Sequence, residues 1–522
     1  MKYVFKGLRR SVFDSEPLRL TLSRQLDLPE IDSVYVEREA LDARRKPNVV
    51  YVYNLRFTVS GKTPRLQTLL SRGTIADYSP RVLPEPDPRI ELPERPIIVG
   101  FGPAGMFLGL YLARKGYKPI IYERGQKVEA RARSVDRLWR EGILDAESNL
   151  QFGEGGAGTF SDGKLTTGKS SPLDRLILET FVEAGAPETI LFSYRPHVGT
   201  DNLRRVVTYF RERVVALGGE IHFGHKVTDL HLENSAIGAI SVSGQRVSTR
   251  CVILAVGHSA RDTMHMLHRR GVRMVPKPFA IGTRIEHSAR FINETQYGDK
   301  AAKVLLAADY KLAHRHSGVG VYSFCMCPGG RVVCASSEPK GLVTNGMSRY
   351  ARDSARSNSA LVVGVTPGAL GLDSPLDAIR FQRHLEQKAY EAGGGGFVSP
   401  AQSAADFCRG ELTRSLDSGG ATYQPGIVPG RLDVLLPTFV TGALRAGLRS
   451  FGRKMPGFIA KGLLIGVETR TSSPIRILRD EDCCSVSTPG LYLLGEGSGY
   501  AGGIMTCARD ALRFARLVKP RV

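Results

Sequence analysis

The chain has 522 residues, 42% of them hydrophobic, enough for two or three domains with substantial cores. Mean hydropathy is −0.14, no apolar run approaches the ~20 residues of a membrane span, and the basic N-terminus lacks an apolar signal core, so a cytoplasmic protein is expected. The formal net charge of +21 favours anionic partners such as nucleic acid or phosphate-bearing molecules, but the basic residues are spread out with only short clusters at 43–46 and 268–271, as on a diffusely basic soluble surface.

In chain order, residues 1–78 read as a small α+β domain. PLRLTLSRQL has helical apolar spacing, while SVYVER and NVVYVYNLRFTV alternate as strands. Residues 79–96, SPRVLPEPDPRIELPERP, hold six prolines among charged side chains and predict an extended linker. From 97 to 275 the pattern becomes α/β. Residues 96–125 read as strand, tight glycine turn, helix and strand, and 201–219 as a long amphipathic helix capped by Asp201. Three strand segments follow in GEIHFGHKVTDLHL, AIGAISVSG and VSTRCVILAVG. Residues 276–466 mix strands, glycine-rich loops and short helices, an inserted α+β lobe with EAGGGGFVSP (391–400) as a flexible junction inside it. Residues 467–522 return to the α/β pattern.

The glycine turn carries the first chemical signal. Gly100-x-Gly102-x-x-Gly105 falls between the strand at 96–99 and a helix predicted to begin near Ala104. Gly100 permits the sharp turn, Gly102 admits a pyrophosphate to the backbone, and Gly105 lets the helix pack on its strand. The unpaired N–H groups and dipole of the helix start then favour phosphate. Glu123, at the end of the next strand, can accept hydrogen bonds from an adenosine ribose. Strand, helix, strand and acid in that order, with Gly109 as an extra small residue, predict a dinucleotide site.

Three further segments favour a long flavin dinucleotide. In VILAVGHSA (252–260) an apolar strand ends at Gly257, where the backbone can turn beneath the cofactor. PGLYLLGEGSGYAGGIMTCARDALRFARLV (489–518) reads as a strand, Gly495–Glu496, a glycine loop and an amphipathic helix beginning near Gly502. Glu496 suits ribityl hydroxyls, and the helix start suits the pyrimidine edge of a reduced flavin. NLQFGEGGAGTFSDGKL (149–165) is expected to line the flavin through Gly153, Gly155, Gly156 and Gly158, with Ser161 and Lys164 near its phosphate or ring edge.

These segments resemble the glutathione-reductase-type FAD-binding fold. Together with FCMCPGG, NGMSRYARDSARSNSALVV, GVETRTSSPIRI and LYLLGEGSGYAGGI, they resemble a bacterial family of uncharacterised FAD-dependent, NAD(FAD)-utilising dehydrogenases. The likeness runs from about residue 90 onward, and ALDARRKPNVVYVYNLRF resembles that family's small leading domain. It implies bound FAD and a redox role, and supplies no substrate. The expected fold class is therefore α/β: a Rossmann-like FAD-binding domain with a parallel sheet and β-meander, an inserted α+β substrate lobe and a small N-terminal α+β domain. The candidate cofactor set is Gly100, Gly102, Pro103, Ala104, Gly105, Glu123, Arg124, Gly155, Gly156, Gly158, Ser161, Lys164, Val227, Gly257, Gly495, Glu496, Gly502, Gly503 and Ile504.

A flavin performs hydride chemistry while the protein positions it and excludes water. GVETRTSSPIRI offers Glu468, Arg470, Ser472 and Ser473 as candidate catalytic residues. Arg470 can orient an anionic substrate and Glu468 can transfer a proton, or the two can brace the lobe junction as an ion pair. His314 with His316, and Cys325 with Cys327, lack zinc-finger spacing, so no metal is expected. Either of those cysteines facing the flavin as a thiolate is set against the ordinary role of a buried small side chain. The eight cysteines show no C-x-x-C and no disulfide framework, and Cys483–Cys484 is assigned no function. With no second GxGxxG, a nicotinamide donor, NAD(P)H, is expected to bind only transiently, in the same cleft or the lobe.

The leading expectation is an FAD-dependent oxidoreductase acting on a small anionic or unsaturated molecule. The alternative is a basic flavoprotein that binds or modifies RNA, resting on net charge and the N-terminal domain without any RNA-binding motif. A non-catalytic flavin scaffold and a lipid-reducing flavoprotein at a membrane surface complete the readings. Oligomeric state is not legible.

Overall fold

The computed structural model describes residues 1–80, 82–416 and 420–521. Arg81 in the expected linker, residues 417–419 in the expected lobe, and Val522 lie outside the described residues.

Residues 1–77 build a four-stranded antiparallel sheet in the order Ile31–Asp42, Val50–Val59, Lys2–Ser11, Ile75–Asp77. Helices Leu18–Leu26 and Pro64–Ser71 bury Leu22, Leu26, Leu66 and Leu69 against Phe5, Leu55 and Phe57. The first strand escapes a period-2 reading because its register shifts at Gly7, which sits at φ +84°. Glu39 exchanges 2.8 Å backbone hydrogen bonds with Phe192 and Tyr194, docking this sheet's edge on the rest of the chain. The second half of the proline-rich stretch is also packed. The Arg89 and Ile90 N–H groups both donate to the Leu517 carbonyl at 2.8 Å, and Ile90 and Leu92 are buried.

The centre is a six-stranded sheet in the order Cys484–Ser485, Thr488–Leu493, Val252–Leu254, Ile97–Val99, Ile120–Glu123, Glu220–Phe223, parallel except at the first edge. Its inner strands, Ile97–Val99 and Val252–Leu254, are buried throughout, as a parallel sheet covered on both faces requires. Helices Pro103–Arg114, Thr200–Ala216 and Ile504–Leu517 belong to the core on one face, where Phe107 meets Phe181 and Phe210 at centroid distances of 5.4 and 4.9 Å. The antiparallel meander Val227–Glu233, Ala236–Val242, Gln245–Ser248 covers the other face with helix Arg261–Arg269, through Leu230, Ile240, Met264 and Leu267. This is an α/β fold with a Rossmann-like parallel sheet.

Three sequence readings need correction here. GEIHFGHKVTDLHL is two strands divided at Gly224 (φ +73°), and VSTRCVILAVG is likewise divided at 249–251. Each gives one strand to the parallel sheet and one to the meander. The long helix starts at Thr200 with Gly199 at its N-cap, so Asp201 lies inside the first turn and accepts the Tyr350 N–H at 2.8 Å.

The chain leaves this sheet through Met274–Pro276 and returns through Ile475–Ile477, and the two pair antiparallel. Between them a seven-stranded sheet runs Ala313–His316, Val319–Cys327, Arg356–Val365, Phe279–Ser288, Leu463–Glu468, Ser399–Ser403, Ile427–Pro429. A boundary at 466 therefore cuts a strand. The glycines at 393–396 form a close reversal between helix Asp377–Ala392 and strand Ser399–Ser403, three of them left-handed, instead of a loose junction. The hairpin Arg331–Cys334/Thr344–Met347 packs Val333 and Val343 on Val135, Leu150 and Phe160 of the α/β part. Among the described residues no helix is long and apolar enough to cross a membrane.

Candidate functional site

A cavity of about 480 Å³ lies beyond the carboxyl ends of strands Ile97–Val99, Ile120–Glu123 and Val252–Leu254, where the seven-stranded lobe closes over them. Both the size and the position are those of cofactor clefts in open α/β sheets. Sixteen of the nineteen candidate cofactor residues line it: Gly100, Gly102, Pro103, Ala104, Glu123, Arg124, Gly156, Gly158, Ser161, Lys164, Val227, Gly257, Glu496, Gly502, Gly503 and Ile504. Glu468, Arg470 and Ser472 line the same space. Segments separated by hundreds of residues thus meet at one wall.

The glycines divide into two kinds. A Cβ on Gly102 would meet only the Gly156 Cα, at 3.7 Å, and Cβ atoms on Gly257, Gly502 and Gly503 would meet nothing within 4 Å. Their missing side chains leave room in the cavity. Gly105, Gly155 and Gly495 stand behind the wall instead. A Cβ on Gly105 would lie 2.0 Å from the Gly100 carbonyl oxygen, and one on Gly155 would lie 2.1 Å from Thr159 Oγ1 and 2.5 Å from Val207. Gly495 turns at φ +77° against Ala104. Gly153 lies behind the wall as well: at φ +116° it gives way to the Arg131 side chain, whose Nη1 donates to the Glu154 carbonyl at 2.6 Å. Half of the glycine run at 153–158 therefore accommodates the protein itself.

The polar groups suit a long phosphate-bearing ligand. Helices Pro103–Arg114 and Ile504–Leu517 both open at the cavity with no side-chain cap, leaving backbone N–H groups and the positive ends of two helix dipoles at its wall. Glu123 accepts N–H bonds from Phe101, Gly125 and Gly153, each at 2.9 Å, which hold its carboxylate rigidly at the cavity rim. Arg124 donates to Asp262 at 2.9 and 3.0 Å and lies over the Phe152 ring. His258 Nδ1 stands 3.4 Å from Glu496, while its buried Nε2 has no partner among the described residues. An orphaned donor-acceptor beside a cradle of glycines with free space is what an extended dinucleotide such as FAD would complete.

The lobe supplies the opposite end. Arg284 is wholly buried and clamps Glu468 with Nε–Oε2 and Nη2–Oε1 bonds of 2.6 and 3.2 Å. Burial raises the Glu468 carboxyl to about 7 against the opposing pull of Arg284, so its proton is held into the neutral range. Lys164 pairs with Asp162 at 2.8 Å, and Arg352 reaches the same carboxylate at 2.9 Å. Against the cost of burial, these two cations keep Asp162 far below the usual carboxylate range. Cys325 also lines the cavity, at φ +43°, a left-handed conformation costing a residue with a Cβ about 1–3 kcal/mol. It is half-buried there, unlike Cys327, which is fully buried.

Arg470 spends four of its five N–H donors on the protein. It donates to Glu386 at 2.7 and 3.1 Å, to Glu338 at 3.1 Å and to Ser337 at 2.6 Å. Arg261, from the α/β part, grips the same Glu386 at 2.7 and 2.8 Å. The geometry matches the bracing role. Ser473 lies outside the cavity, its hydroxyl donating to the Ile475 carbonyl at 3.0 Å, and Ser161 spends its own on the Gly158 carbonyl at 2.7 Å. His314 and His316 stand on the outermost strand of the lobe sheet, away from the cavity, and no cluster of three His, Cys, Asp or Glu among the described residues is placed to hold a metal.

Sequence reasoning missed His258, Arg284, Asp162 and Arg352. His258 directly follows Gly257 and Asp162 lies inside the quoted glycine run, so adjacency to recognised positions could have flagged both. Nothing local marks Arg284, whose partner is 184 residues away.

Residues 278–471 match the family described as "FAD-dependent protein, C-terminal domain-like". A protein of Clostridium beijerinckii described as an uncharacterized protein is 42% identical over 505 residues, covering 95% of this chain and 93% of that one. The FAD-dependent monooxygenase notI' of Aspergillus versicolor is 31% identical over 165 residues, 31% of this chain and 35% of that enzyme. Among solved structures, glycine oxidase from Bacillus cereus aligns over 81% of this chain and 96% of its own, with 10% identity and a TM-score of 0.34, too low to carry any argument.

Proposed function

We propose, for a chain that belongs with its clostridial relative to the family of FAD-dependent proteins, the function of an oxidoreductase acting on a small, unsaturated and largely apolar substrate. One observation carries the reading. A second cavity of about 460 Å³ opens beside the first and shares Phe324, Thr471 and Ser472 with it. Its wall includes Phe279, Val319, Tyr322, Val365, Leu370 and Phe439, and among the described residues holds no charged side chain. An anionic substrate would find no cation on that wall, and the nearby Arg470 is already paired with Glu386 and Glu338, whereas an apolar substrate would bury itself favourably.

In this reading Gly100, Gly102 and Ala104 hold the cofactor's pyrophosphate, Glu123 its ribose, and Glu496 with Gly502–Ile504 the ribityl and flavin end. Bound FAD supplies two-electron hydride chemistry. The chain's own residues do the rest. Glu468, clamped by Arg284, holds a proton at the wall of the first cavity and can deliver it to a substrate atom there. Phe324 lines both cavities and sets an apolar ring at their meeting point. A nicotinamide donor, NAD(P)H, reaching the same cleft transiently would complete the cycle.

The test is the visible spectrum of the purified protein, recorded anaerobically before and after NADPH or NADH and with 2-naphthol as an apolar probe. A flavin spectrum is expected, bleached by the nucleotide and shifted by naphthol. Gly364→Leu, whose new side chain would enter the second cavity from a position with open space, should keep the flavin and lose the naphthol shift. A chain that takes up no added FAD would overturn the cofactor reading. A naphthol shift unchanged by Gly364→Leu would overturn the substrate reading.

A further inference from the structure

The strand Val319–Cys327 is irregular where it meets the cavity. Its pairing with Arg356–Val365 takes one extra residue between Phe324 and Cys327, and the bulge carries Cys325 into the left-handed region. A glycine would relieve that backbone; a cysteine occupies it and presents a thiol to the cavity wall. Strain retained at a side chain with chemistry is a reason to look for function.

Cys327 lies buried directly behind. Its Sγ is 3.3 Å from the Cys325 carbonyl oxygen, to which it donates, and 3.8 Å from Lys164 Nζ. Arg284 Nη1 donates to the same carbonyl at 3.4 Å. Two sulfurs and two cations thus cluster at and just behind one part of the cavity wall, the setting that favours a thiolate. Cys507 also lines the cavity but faces Glu496 and Asp510, and burial with those acids pushes its thiol up. Cys251, Cys334 and Cys483 are buried with raised thiols as well.

We propose that Cys325 and Cys327 are a redox-active dithiol–disulfide couple exchanging two electrons with FAD bound in the cavity, a proposal that rests on the cofactor reading above. In the oxidising direction the Cys327 S–H bond breaks and one S–S bond forms. The two electrons and the Cys327 proton leave the thiolate–thiol pair together as one hydride equivalent and reduce FAD to its two-electron reduced anion. The reverse step consumes reduced flavin and restores the Cys325 thiolate and the Cys327 thiol. The surroundings support that division: the hydrogen bond from Cys327, then Lys164 and Arg284, lower the Cys325 thiol, while Cys327 is raised by its bond to Cys325 and by burial.

Peptide mapping of the full chain tests the couple. Diamide treatment should leave two fewer alkylatable thiols out of eight, with a Cys325–Cys327 cross-link in the peptide mass map. Anaerobic holoprotein given tris(carboxyethyl)phosphine should then bleach its flavin, and Cys327→Ser should abolish the bleaching at equal flavin content. If Cys327→Ser fails to retain flavin, Cys325→Ser is the replacement variant, with the same expectation. Full alkylation of both cysteines after diamide, or bleaching as fast in the serine variants as in the wild type, overturns the proposal. Failure of FAD itself is read separately: a chain without a flavin spectrum after reconstitution overturns the cofactor reading and the exchange together, whereas a flavin-bearing chain without the cross-link overturns the couple alone.

Discussion

Two glycines of the same turn should respond in opposite ways to a side chain. Gly102 sits at φ −79° and ψ −171°, extended backbone open to any residue, and a Cβ there meets only the Gly156 Cα at 3.7 Å. Gly102→Val should therefore change the stability of the flavin-free protein by no more than about 0.5 kcal/mol, since no contact is broken and some unfolded-state freedom is removed. The added methyls fill the approach of a pyrophosphate to the helix start. Losing two charge-assisted N–H bonds to phosphate, about 1.5–3 kcal/mol each, weakens flavin binding by roughly 10²–10⁴-fold. Gly105→Ala does the reverse. Its Cβ would fall 2.0 Å from the Gly100 carbonyl oxygen, so helix Pro103–Arg114 or the turn must shift, at a cost of about 1–3 kcal/mol or more borne by the fold itself. Urea unfolding of the flavin-free proteins, paired with titration by FAD, separates the two. Wild-type affinity in Gly102→Val, or a flavin-free Gly102→Val as unstable as Gly105→Ala, would refute the argument.

Glu386→Ala leaves the buried Arg261 and Arg470 to share Glu338, two interior cations against one carboxylate, and should cost about 3–5 kcal/mol of stability by urea denaturation; an unchanged midpoint would show that the brace is idle. Acidification should act through Asp162, Asp262 and Glu386, all held below their ordinary values by arginine or lysine against the cost of burial, Asp262 at about 2. Because the folded pKa lies below the unfolded one, their stabilisation is present above about pH 4 and lost as pH falls toward 2, which a pH series of unfolding midpoints will show or deny. Glu468 has the opposite sign: the folded carboxyl holds its proton up to about 7 and the unfolded one releases it near 4.5, so its contribution is full below 4.5 and lost above 7. If Glu468 delivers a proton during turnover, the rate falls as pH rises through about 7, and Glu468→Gln both slows the reaction and removes that limb.

What the sequence revealed of this molecule depended on distance along the chain. The fingerprint turn, its helix and Glu123 were legible because strand, glycines and acid fall within 27 residues and each has one geometric job. The glycine run at 149–165 was legible only as a place where something comes close. Composition records that a Cβ is absent; it does not record whether open cavity, as beside Gly257, or the Arg131 side chain, as beside Gly153, takes the space. The Gly7 bulge and the Gly224 turn broke a periodicity that pattern reading needs, so one strand went unseen and another was drawn too long.

The same limit explains the chemistry. Arg470 and Glu468 stand two residues apart and looked interchangeable as a catalytic pair or a brace. They part company through partners 84 and 184 residues away: Glu386 ties Arg470 into the brace beside the cavity, and Arg284 fixes Glu468 at its wall. A charged residue becomes a tool only where the fold satisfies its charge and leaves a reactive atom facing open space. Glu468 and Cys325 meet that condition on the wall of the first cavity, the one held by a buried arginine and the other by a bulged strand.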